Sequence, residues 1–161
     1  MIDLELLKSV KALKGLHNDQ LAALQACSEK MEFGRGDRLF AEGEESAHLW
    51  FVLEGEVELR NDRPQGLPSP PEDPISFISK AELFGWSSFM PPYEYKLSAY
   101  AASPRCEVVR IEKGSLVELF ENDADMGYEF MSHILRVIGT HFYQFRNGIA
   151  ERWGHEIMSG W

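Results

Sequence analysis

The side chains able to do chemistry are sparse in this sequence, and their spacing limits what they can do. Five histidines, His17, His48, His133, His141 and His155, are scattered along 161 residues. The one helical pair, His133 and His141, turns through about 80° on a helix of 3.6 residues per turn. Two imidazoles so disposed do not converge on one ion, and no metal site is expected. Cys27 and Cys106 have neither the close spacing of metal ligands nor the density of a disulfide framework, so they read as reduced, buried thiols. Glu54, Glu56 and Glu58 alternate along one stretch and read as the wet face of a strand. No serine or cysteine nucleophile motif and no Walker loop occurs. The sequence therefore predicts no enzyme and no cofactor.

Charge narrows the partners further. Sixteen Lys and Arg against twenty-six Asp and Glu leave a formal charge of −10. A chain so acidic repels a polyphosphate unless a local basic surface overcomes the field, and none is evident, so no nucleic-acid partner is expected. The longest apolar stretches fall short of the roughly 20 residues that span a bilayer. Asp3 and Glu5 stand where an export signal begins with basic residues. These features predict a cytoplasmic protein with no membrane partner. With 44% hydrophobic and 12% aromatic residues the chain can fill one core of ordinary size.

The elements that must position any site follow from periodicity. Leu4, Leu7, Val10 and Leu13, then Leu21, Leu24 and Cys27, recur at helical spacing. They predict two short helices divided at Gly15, the second capped by Asn18. From Met31 to about Arg110 the period shortens: Leu49, Phe51 and Leu53 alternate with Trp50 and Val52, and Val57 and Leu59 with Glu56, Glu58 and Arg60. Glycines and prolines punctuate this stretch every few residues, which favours a small barrel or jelly roll over a parallel sheet. Pro64 to Pro74 holds five prolines in eleven residues and reads as an exposed, flap-like excursion between strands. A strand over Glu107 to Ile111 precedes a short helix over about Lys113 to Glu121 and a long one over about Ala124 to Arg146. Phe130, Ile134, Val137 and Ile138 form the long helix's apolar stripe, extended by His141 and Phe145. Such a stripe packs on the barrel or on a second copy, the latter giving a homodimer through the C-terminal helix. Residues 1–146 read as one domain and 147–161 as an irregular tail.

The segment Phe33-Gly-Arg-Gly36-Asp-Arg-Leu-Phe40-Ala-Glu42-Gly43-Glu44, followed by Leu49-Trp-Phe-Val-Leu-Glu-Gly55-Glu-Val57-Glu-Leu59, resembles the opening strands of cyclic-nucleotide-binding domains. The likeness spans nearly the whole chain, from the leading Leu-Leu-Lys-Ser-Val helix to the closing Val-Val-Arg-Ile-Glu strand with its two trailing helices. It implies an α+β, mainly β fold: an antiparallel jelly-roll barrel flanked by N-terminal helices and a long C-terminal helix. Gly36, Gly43 and Gly55 match the family's three turn glycines.

The resemblance also implies a phosphate-binding cassette, a short helix whose N-terminal N–H groups face a cyclic phosphate. Phe84-Gly85-Trp86-Ser87-Ser88-Phe89-Met90 takes its place, and Lys96-Leu97-Ser98-Ala99 matches the next strand. The cassette's usual Glu, which binds the ribose hydroxyl, falls on Trp86. Its usual Arg falls on Leu97, or on Lys96 if the strand slips by one residue. Each missing contact is charge-assisted and worth about 1.5–3 kcal/mol. Losing both weakens cyclic-nucleotide binding by roughly two to four orders of magnitude. Lys96 offers a point charge but no fork, and strand alternation sets it opposite Leu97.

Trp86 either stacks on a planar ligand or plugs the emptied ribose pocket. The ligand-binding residues expected are thus Gly85, Trp86, Ser87, Ser88, Lys96, Leu97 and Ser98, holding a nucleotide-like or other small molecule. Transcriptional relatives carry a helix-turn-helix beyond the long helix. Only about fifteen residues follow Arg146, which reinforces the expectation of no DNA partner. A noncatalytic sensor or regulatory module is the leading expectation. The alternative is a protein-interaction or scaffold domain whose pocket is closed by its own side chains, with a partner protein in place of a ligand.

Overall fold

A computed structural model describes residues 2–62 and 76–153. The first apolar residues form α1 (Leu4–Ser9), a 3-10 turn (Lys11–Leu13) and α2 (Asn18–Ala26). Asp3 caps α1 by accepting the Glu5 N–H at 3.0 Å. His17, not Asn18, is the cap residue of α2, and its backbone N–H donates to the Gln20 side chain at 2.9 Å. The reciprocal use of the third helical residue moves the start one position earlier than a lone Asn cap predicts.

Eight strands follow among the described residues: β1 (Ser28–Phe33), β2 (Arg38–Phe40), β3 (His48–Glu54), β4 (Val57–Arg60), β5 (Ser76–Ile78), β6 (Leu83–Phe84), β7 (Ser98–Ala101) and β8 (Cys106–Glu112). They pair antiparallel in two four-stranded sheets, ordered β1-β8-β3-β6 and β2-β7-β4-β5. The chain closes with α3 (Lys113–Asn122) and α4 (Ala124–Trp153). This is the predicted jelly roll with its helical flanks.

The unbroken apolar run of β3 has a simple cause: its two faces serve two different cores. Leu49, Phe51 and Leu53 join Val109 and Ile111 of β8 in packing against Leu7, Leu13, Leu24, Met126, Phe130 and Ile134 of the helices. Trp50 and Val52 point the other way, into a barrel interior shared with Val57, Leu59, Phe84, Ala99 and Val108. Each large side chain so buried contributes about 1.5–3 kcal/mol. The β3–β4 hairpin turns at Gly55, whose φ is 82° and whose Cβ, if it had one, would lie 2.5 Å from the Arg105 carbonyl oxygen. Gly36 and Gly43, the other two turn glycines of the resemblance, likewise have positive φ.

α4 is longer than its apolar stripe predicts, running seven residues past Arg146 to Trp153. Asn147-Gly148 reads as a stop signal, but one glycine costs only about 1 kcal/mol in a helix interior. Extending an established helix adds a hydrogen bond for every residue fixed, which offsets that cost. Asp123 anchors the start, accepting the Met126 N–H at 3.0 Å and the Gln20 amide of α2 at 2.8 Å. These bonds hold the Asp123 carboxyl below its usual range. The proline-rich stretch and the segment beyond Trp153 lie outside the described residues.

Candidate functional site

Between β6 and β7 the chain passes Gly85 and then coils through a 3-10 turn, Trp86–Phe89. Gly85 adopts φ 77°, and a Cβ there would meet Trp50 Cδ1 at 2.7 Å and the His48 carbonyl oxygen at 3.3 Å. Only glycine lets the cassette press this closely on β3. Ser88 is fully buried, and its hydroxyl turns back on the Gly85 carbonyl at 3.4 Å. Ser87 is half-buried within the turn.

Trp86 packs with the helical core and not with the residues filling the barrel. Its ring lies 4.9 Å from that of His141 on α4, tilted by 44°. The largest side chain of the cassette is therefore spent on the contact with the C-terminal helix. Burial holds the His141 imidazole below its ordinary pKa, so at neutral pH it meets the indole uncharged.

The residues before and within β7 divide as strand alternation requires. Leu97 is half-buried against the barrel interior. Lys96 is exposed, with its ammonium 3.9 Å from Glu94. Ala99 and Ala101 face inward, which leaves Ser98 and Tyr100 on the other face. Ser98 is nonetheless fully buried there. Its hydroxyl accepts the Glu42 N–H at 2.8 Å and donates to the Asp62 carboxylate. Tyr100 donates to the same Asp62 oxygen at 2.9 Å. The one Ser98 proton is thus already given to an anion of the protein itself.

The structure therefore gathers Gly85, Trp86, Ser87 and Ser88 into one turn, brings Leu97 to the barrel interior, and sends Lys96 to solvent and Ser98 to a carboxylate. What fills the barrel beside the cassette is an aromatic cluster that sequence reasoning missed. Phe40 stacks on Tyr95 at 3.7 Å between centroids, and Trp50 lies 5.8 Å from Phe40 and 6.0 Å from Phe84. The indole N–H of Trp50 donates to the Tyr95 hydroxyl at 3.0 Å, and that hydroxyl donates to the His48 carbonyl at 3.2 Å. Burial pushes the Tyr95 phenol above its ordinary pKa, keeping it a neutral donor. Parity could have found part of this, since Tyr95 and Leu97 share the inward phase of Ala99. No comparable signal marks Asp62, which lies two residues past the end of β4.

Comparison with known proteins fits this geometry. Residues 30–123 match the profile of a family described as cyclic nucleotide-binding domain. A CRP-like cAMP-activated global transcriptional regulator of Mycobacterium tuberculosis is 23% identical over 147 residues, which cover 91% of this chain and 62% of the regulator. The chain thus spans less than two thirds of that relative's length. A crystal structure from Geobacter metallireducens, designated a cyclic nucleotide-binding protein, shares 28% identity at a TM-score of 0.74, covering 87% of this chain and 98% of that one. A cyclic nucleotide-binding domain from Methylobacillus flagellatus has the same fold at a TM-score of 0.76 and 20% identity, over 95% of this chain and 83% of its own.

Proposed function

The chain belongs to the cyclic nucleotide-binding domain family, and we propose that it is a noncatalytic sensor module whose pocket has lost the family's usual grip on a cyclic nucleotide. The observation that carries this reading is the placement of Leu97. Where the resemblance puts the phosphate-neutralising guanidinium, an aliphatic side chain packs into the barrel, and Lys96 beside it faces water. The position of the ribose acceptor is held by Trp86, turned to α4. Signalling then runs from the cassette to the helix: occupancy that shifts the 3-10 turn moves Trp86 and Phe89, which pack on the helical core, and biases the position of α4. Calorimetric titration with cyclic AMP and cyclic GMP tests the reading. The expected result is affinity weaker than about 100 μM for both, and micromolar binding of either would overturn it.

The aromatic cluster supports a second reading, an interaction or scaffold domain with its barrel closed by Phe40, Trp50, Phe84 and Tyr95. In that case no small molecule binds the barrel, and the surface of α4 does the work. Tyr128, Met131 and Leu135 are exposed on that helix. With Phe142, also exposed, they fall at spacings of three, four and seven residues, a heptad-like pattern on one face. A heptad stripe is self-complementary, so its fitting occupant is the same helix of a second copy, giving a symmetric dimer. Membrane attachment is not part of either reading. No helix among the described residues is long and apolar enough to cross a bilayer.

A further inference from the structure

A groove of about 360 Å³ opens on the outer side of the molecule, between the Lys11–Leu13 turn, the connection from β5 to β6, and α4. It shares no lining residue with the cassette, and its volume falls in the range of about 300–1,000 Å³ that small-molecule sites occupy. We propose that this groove is a second ligand site, one that takes a small monoanion with a flat apolar body, such as an aromatic carboxylate.

The charge balance of its walls selects the sign. Lys11 stands 3.9 Å from Glu82, so these two largely cancel. Arg136 brings a further cation, and the residues one turn to either side of it on α4 are Ser132, His133, Gly139 and Thr140, none of them acidic. Among the described residues the groove thus carries a net charge of about +1, on a chain whose total is −10. A guanidinium in such a place takes a carboxylate through two parallel hydrogen bonds.

The remaining walls select a flat apolar body. Ala12, Leu83 and Val137 line the groove, and Phe77 beside them, 48% exposed, offers a flat apolar face. His133 and His141 also line it, and burial lowers both imidazole pKa values, so they supply neutral N–H groups without adding charge.

One wall is also held rigid at a conformational cost. Ala81 sits at φ 68°, a left-handed conformation costing about 1–2 kcal/mol for a residue with a Cβ. It is pinned there by its own N–H to the Val52 carbonyl at 2.9 Å and by the Lys11 N–H on its carbonyl at 3.2 Å. Strain held on both sides by backbone bonds is the pattern of a preorganised site. Since His141 also touches Trp86, an occupant of the groove bears on the cassette from outside the barrel.

The test is protein-observed 1H–15N NMR on the full chain with 2-naphthoate as probe and 2-naphthylmethanol as its neutral counterpart. The expected result is saturable shifts at the amides of Ala12, Leu83, Val137 and Thr140, with naphthoate binding at least about tenfold tighter than the alcohol, the worth of one charge-assisted contact. Arg136→Gln, on an exposed side chain the fold does not depend on, should remove that tenfold advantage and leave the alcohol's affinity and all distant amides unchanged. Equal affinity of acid and alcohol, an undiminished preference in Arg136→Gln, or shifts confined to interior residues such as Val52 and Ala99 would each overturn the assignment.

Discussion

Tyr95→Phe is the substitution that asks most directly whether the barrel is closed by its own side chains. The Tyr95 side chain is 4% exposed, and its hydroxyl takes the Trp50 N–H and donates to the His48 carbonyl. Removing the oxygen deletes two neutral hydrogen bonds, each worth roughly 1 kcal/mol net, and leaves the buried indole N–H without an acceptor. The expected cost is about 2–3 kcal/mol. At a urea slope of about 2 kcal/mol per molar, the unfolding midpoint should fall by about 1–1.5 M with the slope unchanged, at fixed protein concentration. Trp50→Phe and the double variant complete a cycle, and the two losses should overlap by about 1 kcal/mol because they remove the same bond. A midpoint shift below about 0.3 M for Tyr95→Phe would refute the reasoning. It would mean that water reaches the indole, and that the interior beside the cassette is wet enough to admit a ligand.

Gly85→Ala places a Cβ 2.7 Å from the Trp50 ring at φ 77°, and strain plus overpacking should cost about 2–4 kcal/mol, read as a fall in Tm of roughly 5–15 °C. His48, His133 and His141 all bind protons less readily in the fold than in the unfolded chain, chiefly through burial. As pH falls below the ordinary histidine value of about 6.5 the unfolded chain takes up more protons, so stability should decline between pH 7 and 5.5 and stay level from pH 7 to 8. Denaturant midpoints at those pH values check this, and His141→Gln should flatten part of the decline. Leu135→Glu, on the exposed stripe of α4, should convert a dimer to a monomer by light scattering while leaving the far-ultraviolet circular dichroism unchanged, and a monomeric parent protein would dispose of the dimer.

The parts of the fold that were legible are those where one physical cause dominates. The alternation in β3 was legible as a strand, whereas the reason both of its phases are apolar, one core on each face of the sheet, emerges from the structure. Gly55 is readable because a close backbone approach and a positive φ both exclude a side chain. The site was less legible because its decisive contacts join residues far apart in sequence. Trp86 meets His141 across 55 positions, and nothing in the spacing of either tells a ring that plugs a pocket from a ring that faces a helix. Ser98 looks free to bind an anion until Asp62 is seen beside it. The end of α4 was misjudged for a different reason: local stop signals are weak against the cooperativity of a long helix already formed.

Thirty residues of uninterrupted α4 make a rod about 45 Å long at 1.5 Å per residue. Its N-terminal turns are seated by Asp123, Met126 and Phe130, leaving roughly 35 Å of rod beyond Phe130. Each degree of tilt about that point therefore displaces the Trp153 end by about 0.6 Å. A nudge from Trp86 is delivered at His141, about 17 Å along that lever, and arrives at the far tip roughly doubled, so the distal turns are where a reporter pair should be mounted.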